Sequence, residues 1–164
     1  MRRGRSGEIP AFGGYGTRRR PPRFIVIHHT TTPTAAATER VLENRGLSTH
    51  YEVDREGHIF QYLDPELHVA WHALWANADS IGIDVTHMSG DPWPDDQVQA
   101  VAGLVARLAA RFDIPRVVAP DGVRYAGTRD IPAGVGLLRH RNIRPTACPE
   151  DFPMERLGDP APLV

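Results

Sequence analysis

The sequence predicts an α/β domain with a mixed β-sheet. One continuous apolar run, Phe24–Ile27, reads as a buried central strand, and Ser80–Val85 reads as another strand. Segments of helical period alternate with them. A hairpin signal between residues 51 and 62 adds an antiparallel pair, which makes the sheet mixed.

Taken in order, residues 1–23 are rich in Arg, Gly and Pro and carry no apolar period, so they read as a flexible arm preceding a domain at 24–164. Phe24-Ile-Val-Ile27 is the central strand and ends in His28-His29. Thr32-Pro33 looks like an N-cap followed by proline at the first helical position, with the helix running to about Arg45 and stopping at Gly46. Tyr51, Val53, Ile59, Phe60 and Tyr62 flank Asp54-Arg55-Glu56-Gly57, where Gly57 supplies the positive φ of a hairpin turn. Ser80–Val85 is a further strand. Asp95 or Asp96 caps a longer helix whose apolar positions Val98, Val101, Ala102, Val105, Leu108, Ala109 and Phe112 fit the 3.6 period, and Pro115 closes it. Residues 116–134 hold three turn clusters and read as a long surface loop; Val135–Leu138 is a last short strand leading to His140.

The length, 164 residues, suits one domain that buries roughly two-thirds of its unfolded surface. The single cysteine, Cys148, excludes an intrachain disulfide. No apolar run approaches the roughly 20 residues of a membrane span, and no apolar core of a secretory signal follows the N-terminal arginines. All 19 basic residues are arginine, which excludes lysine-based chemistry. The arm carries seven Arg and one Glu; residues 24–164 carry twelve Arg against nineteen Asp and Glu. The acidic domain argues against nucleic acid as the main ligand. The arm either touches an anionic polymer or surface or is simply solvated.

Eight histidines are many for this length. His28 and His29 end a buried strand, His140 follows another, and Cys148 lies eight residues further on. Imidazole plus thiolate suits Zn²⁺, and three protein ligands leave an open catalytic position. Spacing alone leaves open a pair of satisfied core histidines and an inert buried cysteine.

Five blocks in this order carry a resemblance: Phe24-Ile-Val-Ile-His-His-Thr30, Ser48-Thr-His-Tyr-Glu-Val-Asp54, Ala70-Trp-His-Ala73, Ser80-Ile-Gly-Ile-Asp84, and His140-Arg141 with Thr146-Ala-Cys-Pro149. Over roughly residues 24–157 the chain resembles the N-acetylmuramoyl-L-alanine amidase family, which includes phage lysozyme-type amidases, AmpD-type amidases and peptidoglycan recognition proteins. The resemblance implies a central mixed β-sheet flanked by helices, and a zinc-dependent cut between the lactyl group of N-acetylmuramic acid and L-alanine of the stem peptide. It implies His28, His140 and Cys148 as zinc ligands, with His29 as the rival to His28. Successive strand residues face opposite ways, so both histidines do not easily bind one ion.

Further roles follow from the same resemblance. Asp84 stands where AmpD-type enzymes place a glutamate as catalytic base, one methylene shorter; otherwise it is a strand-end residue that supports the fold. His72 matches a histidine near the metal that donates to the substrate carbonyl or oxyanion, or else packs behind the metal. Thr49 and Thr146 stand where phage lysozyme-type enzymes have tyrosine and lysine, which favours an Asp84-centred mechanism with the Thr146 hydroxyl donating to the oxyanion. His50 reads as fold-supporting, and Trp71 and Trp75 either line a groove or pack in the core. His58, His68 and His87 match nothing in the family pattern.

The implied partner is peptidoglycan or a soluble muropeptide, met by a monomer. A non-catalytic peptidoglycan-binding or regulatory module of the same fold is the alternative. Without a signal peptide, the expected settings are the cytoplasm, acting on wall fragments, or the cell wall, reached by phage-type release or a secretion or injection apparatus.

Overall fold

The computed structural model describes residues 2–3 and 14–158. A six-stranded mixed sheet runs β1 (Arg2–Arg3), β5 (Ile59–Gln61), β4 (Tyr51–Val53), β7 (Ser80–Val85), β3 (Phe24–His29) and β8 (Leu137–Arg139) in spatial order. Strands β4, β7, β3 and β8 are parallel, and β5 returns antiparallel to β4 through the expected hairpin, with Gly57 at φ 78°. A second, two-stranded sheet joins β2 (Tyr15–Thr17) antiparallel to β6 (His68–Ala70).

Alternation along the strands divides the core. Ile25, Ile27, Tyr51, Val53, Ile81, Ile83 and Val85 pack against α2 (Asp95–Phe112), which contributes Val98, Val101, Leu104, Val105 and Leu108. Phe24, Val26 and Leu138 face the other way, onto Ala73, Ala76, Tyr125 and Ile131. On that second face the register aligns His28 and Glu52 with Asp84, at the carboxyl ends of three adjacent parallel strands. Such ends are where open α/β sheets bind ligands.

Four expectations are corrected. Residues 14–23 belong to the fold and not to a flexible arm. The Arg18 guanidinium is buried and donates to the carbonyls of His68, Ala78 and Ser80 at 3.0, 2.9 and 2.7 Å. Ser48 donates to the Gly14 carbonyl at 2.5 Å, and Arg20 forks onto Asp79. Composition reads these arginines as solvated because it does not show that backbone carbonyls meet their fork. Residues 4–13 of the arm lie outside the described residues.

The helix α1 (Ala35–Arg45) starts later than expected. Thr34 caps it by accepting from the Ala37 amide, because the Thr32 hydroxyl is engaged by Thr30 and Thr38. Residues Asp95 and Asp96 sit in the first turn of α2 without capping it through their side chains. Finally, residues 116–134 are not wholly a surface loop. Val118 bridges to Leu137, and Ala119, Tyr125 and Ile131 are buried.

Candidate active site

Strand β3 delivers His28 to the second face of the sheet, and the chain leaving β8 delivers His140 beside it, the rings 4.4 Å apart. Cys148 returns from the following loop. One ligand-capable atom from each of His28, His140 and Cys148 lies within 4.8 Å of the others. The Nε2 of His140 is buried without a hydrogen-bond partner among the described residues. Burial pushes the Cys148 thiol up to about 12 against the opposing pull of the His29 amide, whose N–H donates to Sγ at 3.2 Å. Two imidazoles and a thiol converging with an orphaned ring nitrogen fit a Zn²⁺ ion with one open position. The rival His29 points to the opposite face, where its Nε2 lies 3.6 Å from Glu150.

A short relay fixes the state of His28. Ser80 Oγ donates to the Ala76 carbonyl at 2.7 Å and so accepts from His72 Nε2 at 3.2 Å. That makes His72 Nδ1 the acceptor for His28 Nε2 at 2.9 Å, which leaves the lone pair of His28 on Nδ1. Burial lowers both rings well below the ordinary histidine value, with neighbouring histidines adding to the effect, so both are neutral.

Of the two roles the sequence offers His72, donation to the substrate and packing behind the metal, the contacts fit the second: both ring nitrogens are engaged by protein, one of them on His28. Close approach makes this possible: a Cβ on Gly82 would come within 2.8 Å of the His72 ring. The Asn77 side chain fixes the backbone beneath, accepting from the amides of His72 and Ala73 at 3.1 and 2.6 Å.

Asp84 lies next to His28 in the strand register and lines the same groove. Burial pushes its carboxyl up to about 8; the nearby Glu52 adds to this and a hydrogen bond from Thr49 opposes it. A carboxyl near neutrality suits a group that takes and returns a proton. Glu52 itself is fully buried, accepting from Tyr62 Oη and Thr86 Oγ1, both at 2.7 Å.

Thr146 is exposed at the groove, and its Oγ1 accepts from the Cys148 amide at 3.3 Å, which leaves its own O–H free to donate. Arg141 ties the ligand loop together. It forks onto Asp121 at 2.7 and 2.9 Å, donates to the carbonyls of Ala147 and Glu150, and its amide donates to the Cys148 carbonyl.

The groove encloses about 560 Å³. Trp71 is 46% exposed on its wall, whereas Trp75 packs partly buried against the core. His50 is buried: Nδ1 accepts from the Gly82 amide at 3.0 Å, so Nε2 donates to the His68 carbonyl at 3.2 Å. It supports the fold, as expected.

The family model for N-acetylmuramoyl-L-alanine amidase matches residues 18–151. The chain belongs to the N-acetylmuramoyl-L-alanine amidase family. Membership supports peptidoglycan amidase activity as the class of function. The fold agrees. The amidase-family chain is similar to N-acetylmuramoyl-L-alanine amidase LysC from Clostridium intestinale URNW, with TM-score 0.65, 24% identity, and 88% of this chain and 91% of that one covered. It is similar to the Ph2119 endolysin from Thermus scotoductus MAT2119 bacteriophage Ph2119, with TM-score 0.64, 22% identity and coverage of 88% and 90%. Drosophila peptidoglycan recognition protein SA gives TM-score 0.62, 19% identity and coverage of 89% and 82%. No curated protein matches the sequence.

Sequence reasoning about this amidase-family domain missed Ser80, Asn77 and Glu52. The first two act through backbone and ring partners four to eight residues away, across an irregular turn whose contacts no sequence period marks. Glu52 had a signal, since it stands inside a predicted strand as a carboxylate among apolar neighbours.

Proposed function

We propose that the protein is a zinc-dependent amidase that hydrolyses the bond between the lactyl group of N-acetylmuramic acid and L-alanine of the stem peptide. The observation that carries this reading is the convergence of His28, His140 and Cys148 on one point of a groove that also holds Asp84.

When bound by these three residues, Zn²⁺ supplies a Lewis acid for the amide carbonyl and lowers the pKa of water. The remaining work falls to the chain. Asp84 takes a proton from the attacking water and hands it to the leaving amine nitrogen, which an uncharged amide requires before it departs. The Thr146 hydroxyl donates to the carbonyl oxygen as negative charge develops there. His72, backed by Ser80, keeps His28 neutral with its lone pair on Nδ1. Trp71 offers an aromatic face to the substrate along the groove wall.

Mass spectrometry of products from intact sacculi and soluble muropeptides, with and without a chelator, tests the reading. Release of stem peptides beginning in L-alanine, abolished by the chelator and restored by Zn²⁺, is the expected result. Preference for sacculi identifies a lytic enzyme, and preference for soluble fragments a recycling one. Muropeptide binding without cleavage by the zinc-loaded protein contradicts the reading and marks a binding module.

A further inference from the structure

The loop that carries Cys148 is fastened from behind the groove. Glu150 follows Cys148 by two residues, and its carboxylate lies between two imidazoles, 3.6 Å from His29 Nε2 and 3.7 Å from His87 Nε2. The Ser89 hydroxyl and the Gly90 amide hydrogen-bond to it as well. The His87 side chain is fully buried, with its ring stacked on Trp93 at a centroid distance of 3.6 Å. Neither nitrogen of His87 has a hydrogen-bond partner among the described residues, and neither has Nδ1 of His29. Buried nitrogens left unpaired cost free energy, which the carboxylate beside them offsets in part. Glu150, His87 and Trp93 are all absent from the lining of the groove.

The backbone shows that a side chain is wanted at this position. Glu150 stands at φ 56°, in the left-handed region that glycine enters freely and a residue with a Cβ seldom does. Such a conformation persists where its surroundings over-determine it. Here the Glu150 amide donates to the Ala147 carbonyl at 2.6 Å, and its own carbonyl accepts from Arg141. Asp151 accepts from Trp93 Nε1 at 2.9 Å, and Phe152 meets the Trp93 ring edge-on at 4.9 Å. Residues 148–152 are thus fastened to residues 87–93, which follow the strand of Asp84, and to His29, which follows His28. Cys148 itself is caught in the same grip, its Sγ accepting from the His29 amide at 3.2 Å.

A ligand set keeps its affinity only when held within about 0.5 Å of the productive geometry. We infer that Glu150 is a positioning residue for the metal centre: gripped by His29 and His87, it sets where Cys148 Sγ stands relative to His28 and His140. This rests on the zinc-amidase reading above. The adjacent histidines of β3 then divide the work. His28 faces the ion, and His29, on the other face, holds the loop that brings the third ligand.

The test titrates metal-stripped full-length protein with Zn²⁺ against a chromogenic chelator, and with Co²⁺ while the cobalt–thiolate charge-transfer band is followed. Glu150→Gly removes the carboxylate and relieves the left-handed backbone. It is expected to weaken Zn²⁺ binding about 10- to 100-fold, as loss of an outer partner does, and to shift or weaken the cobalt band. That band is the readout that a merely structural role leaves unmoved. Glu150→Gln keeps the length of the side chain and loses its charge; it should move both readouts in the same direction, and it replaces the glycine variant if that one fails to fold. His87→Phe keeps a ring against Trp93 and should weaken binding likewise, and combined with Glu150→Gln it should lose little more than either change alone. Wild-type affinity with an unchanged cobalt band in the Glu150 variants overturns the proposal alone, as does full additivity with His87→Phe. A wild-type protein that binds neither metal contradicts the zinc reading, and the proposal falls with it.

Discussion

The chemistry of this chain turns on a few side chains whose state is set by their neighbours. Asp84 is the clearest. A carboxyl pushed up to about 8 by burial and by Glu52 is poised to exchange a proton near neutral pH. Asp84→Asn should lower kcat by about two to four orders of magnitude, the usual worth of a positioned acid–base group, and leave bound zinc at one equivalent. Steady-state kinetics with metal analysis checks both. Gly82 is a subtler position. Any side chain there meets the His72 ring, which orients His28. Gly82→Ala should weaken zinc binding about 10- to 100-fold without touching a ligand, as loss of an outer partner does, and competition with a chromogenic chelator measures it. The resemblance and the order of five motifs single out His28, His140 and Cys148 as candidate ligands, and the geometry brings these three residues together. The relay behind it was not legible, because Ser80 and Asn77 carry no chemistry until the fold brings His72 to them.

Among the elements, the long regular ones and the short hairpin strands beside a turn signal were readable, and β2 and β6 were not. Strand β7 alternates Ile81, Ile83 and Val85 with small or polar residues, helix α2 repeats apolar residues at the helical period, and both lie where the sequence places them. Strands β2 and β6 are three residues each, and their pairing depends on Arg18 finding carbonyls from three separate segments. Strand β4 carries a cost that the pattern hid, a wholly buried Glu52 pushed up to about 7 by desolvation despite hydrogen bonds from Thr86, Thr38 and Tyr62. Its folded-state proton affinity exceeds that of the unfolded chain, so between pH 4.5 and 7 the native state binds more protons. Stability therefore falls as pH rises through that window. Glu52→Gln should flatten the fall by up to about 1.4 kcal/mol per pH unit, leaving a residual slope from Asp84. Urea denaturation at a series of pH values reads this directly; an unchanged slope means that Glu52 does not titrate on folding.

For the whole molecule, the mixed sheet sorts its work by face. One face buries aliphatic residues under α2 and supplies stability. The other carries His140, His28, Asp84 and Glu52 side by side at the strand ends, with α1 and the Trp71 segment walling the groove. The alternation of β3 splits His28 from His29 between these faces, which is why one is grouped with His140 and Cys148 and the other meets Glu150. No helix among the described residues is long and apolar enough to cross a membrane. The central claim is that the three-residue centre and amide cleavage are one function. Its most direct test is titration of metal-stripped protein with Zn²⁺, following release of L-alanine-led stem peptide, for the wild type and Cys148→Ala. The account predicts activity rising linearly to one equivalent in the wild type and neither tight binding nor turnover in Cys148→Ala. Full turnover by Cys148→Ala, or by the stripped wild type, would contradict it.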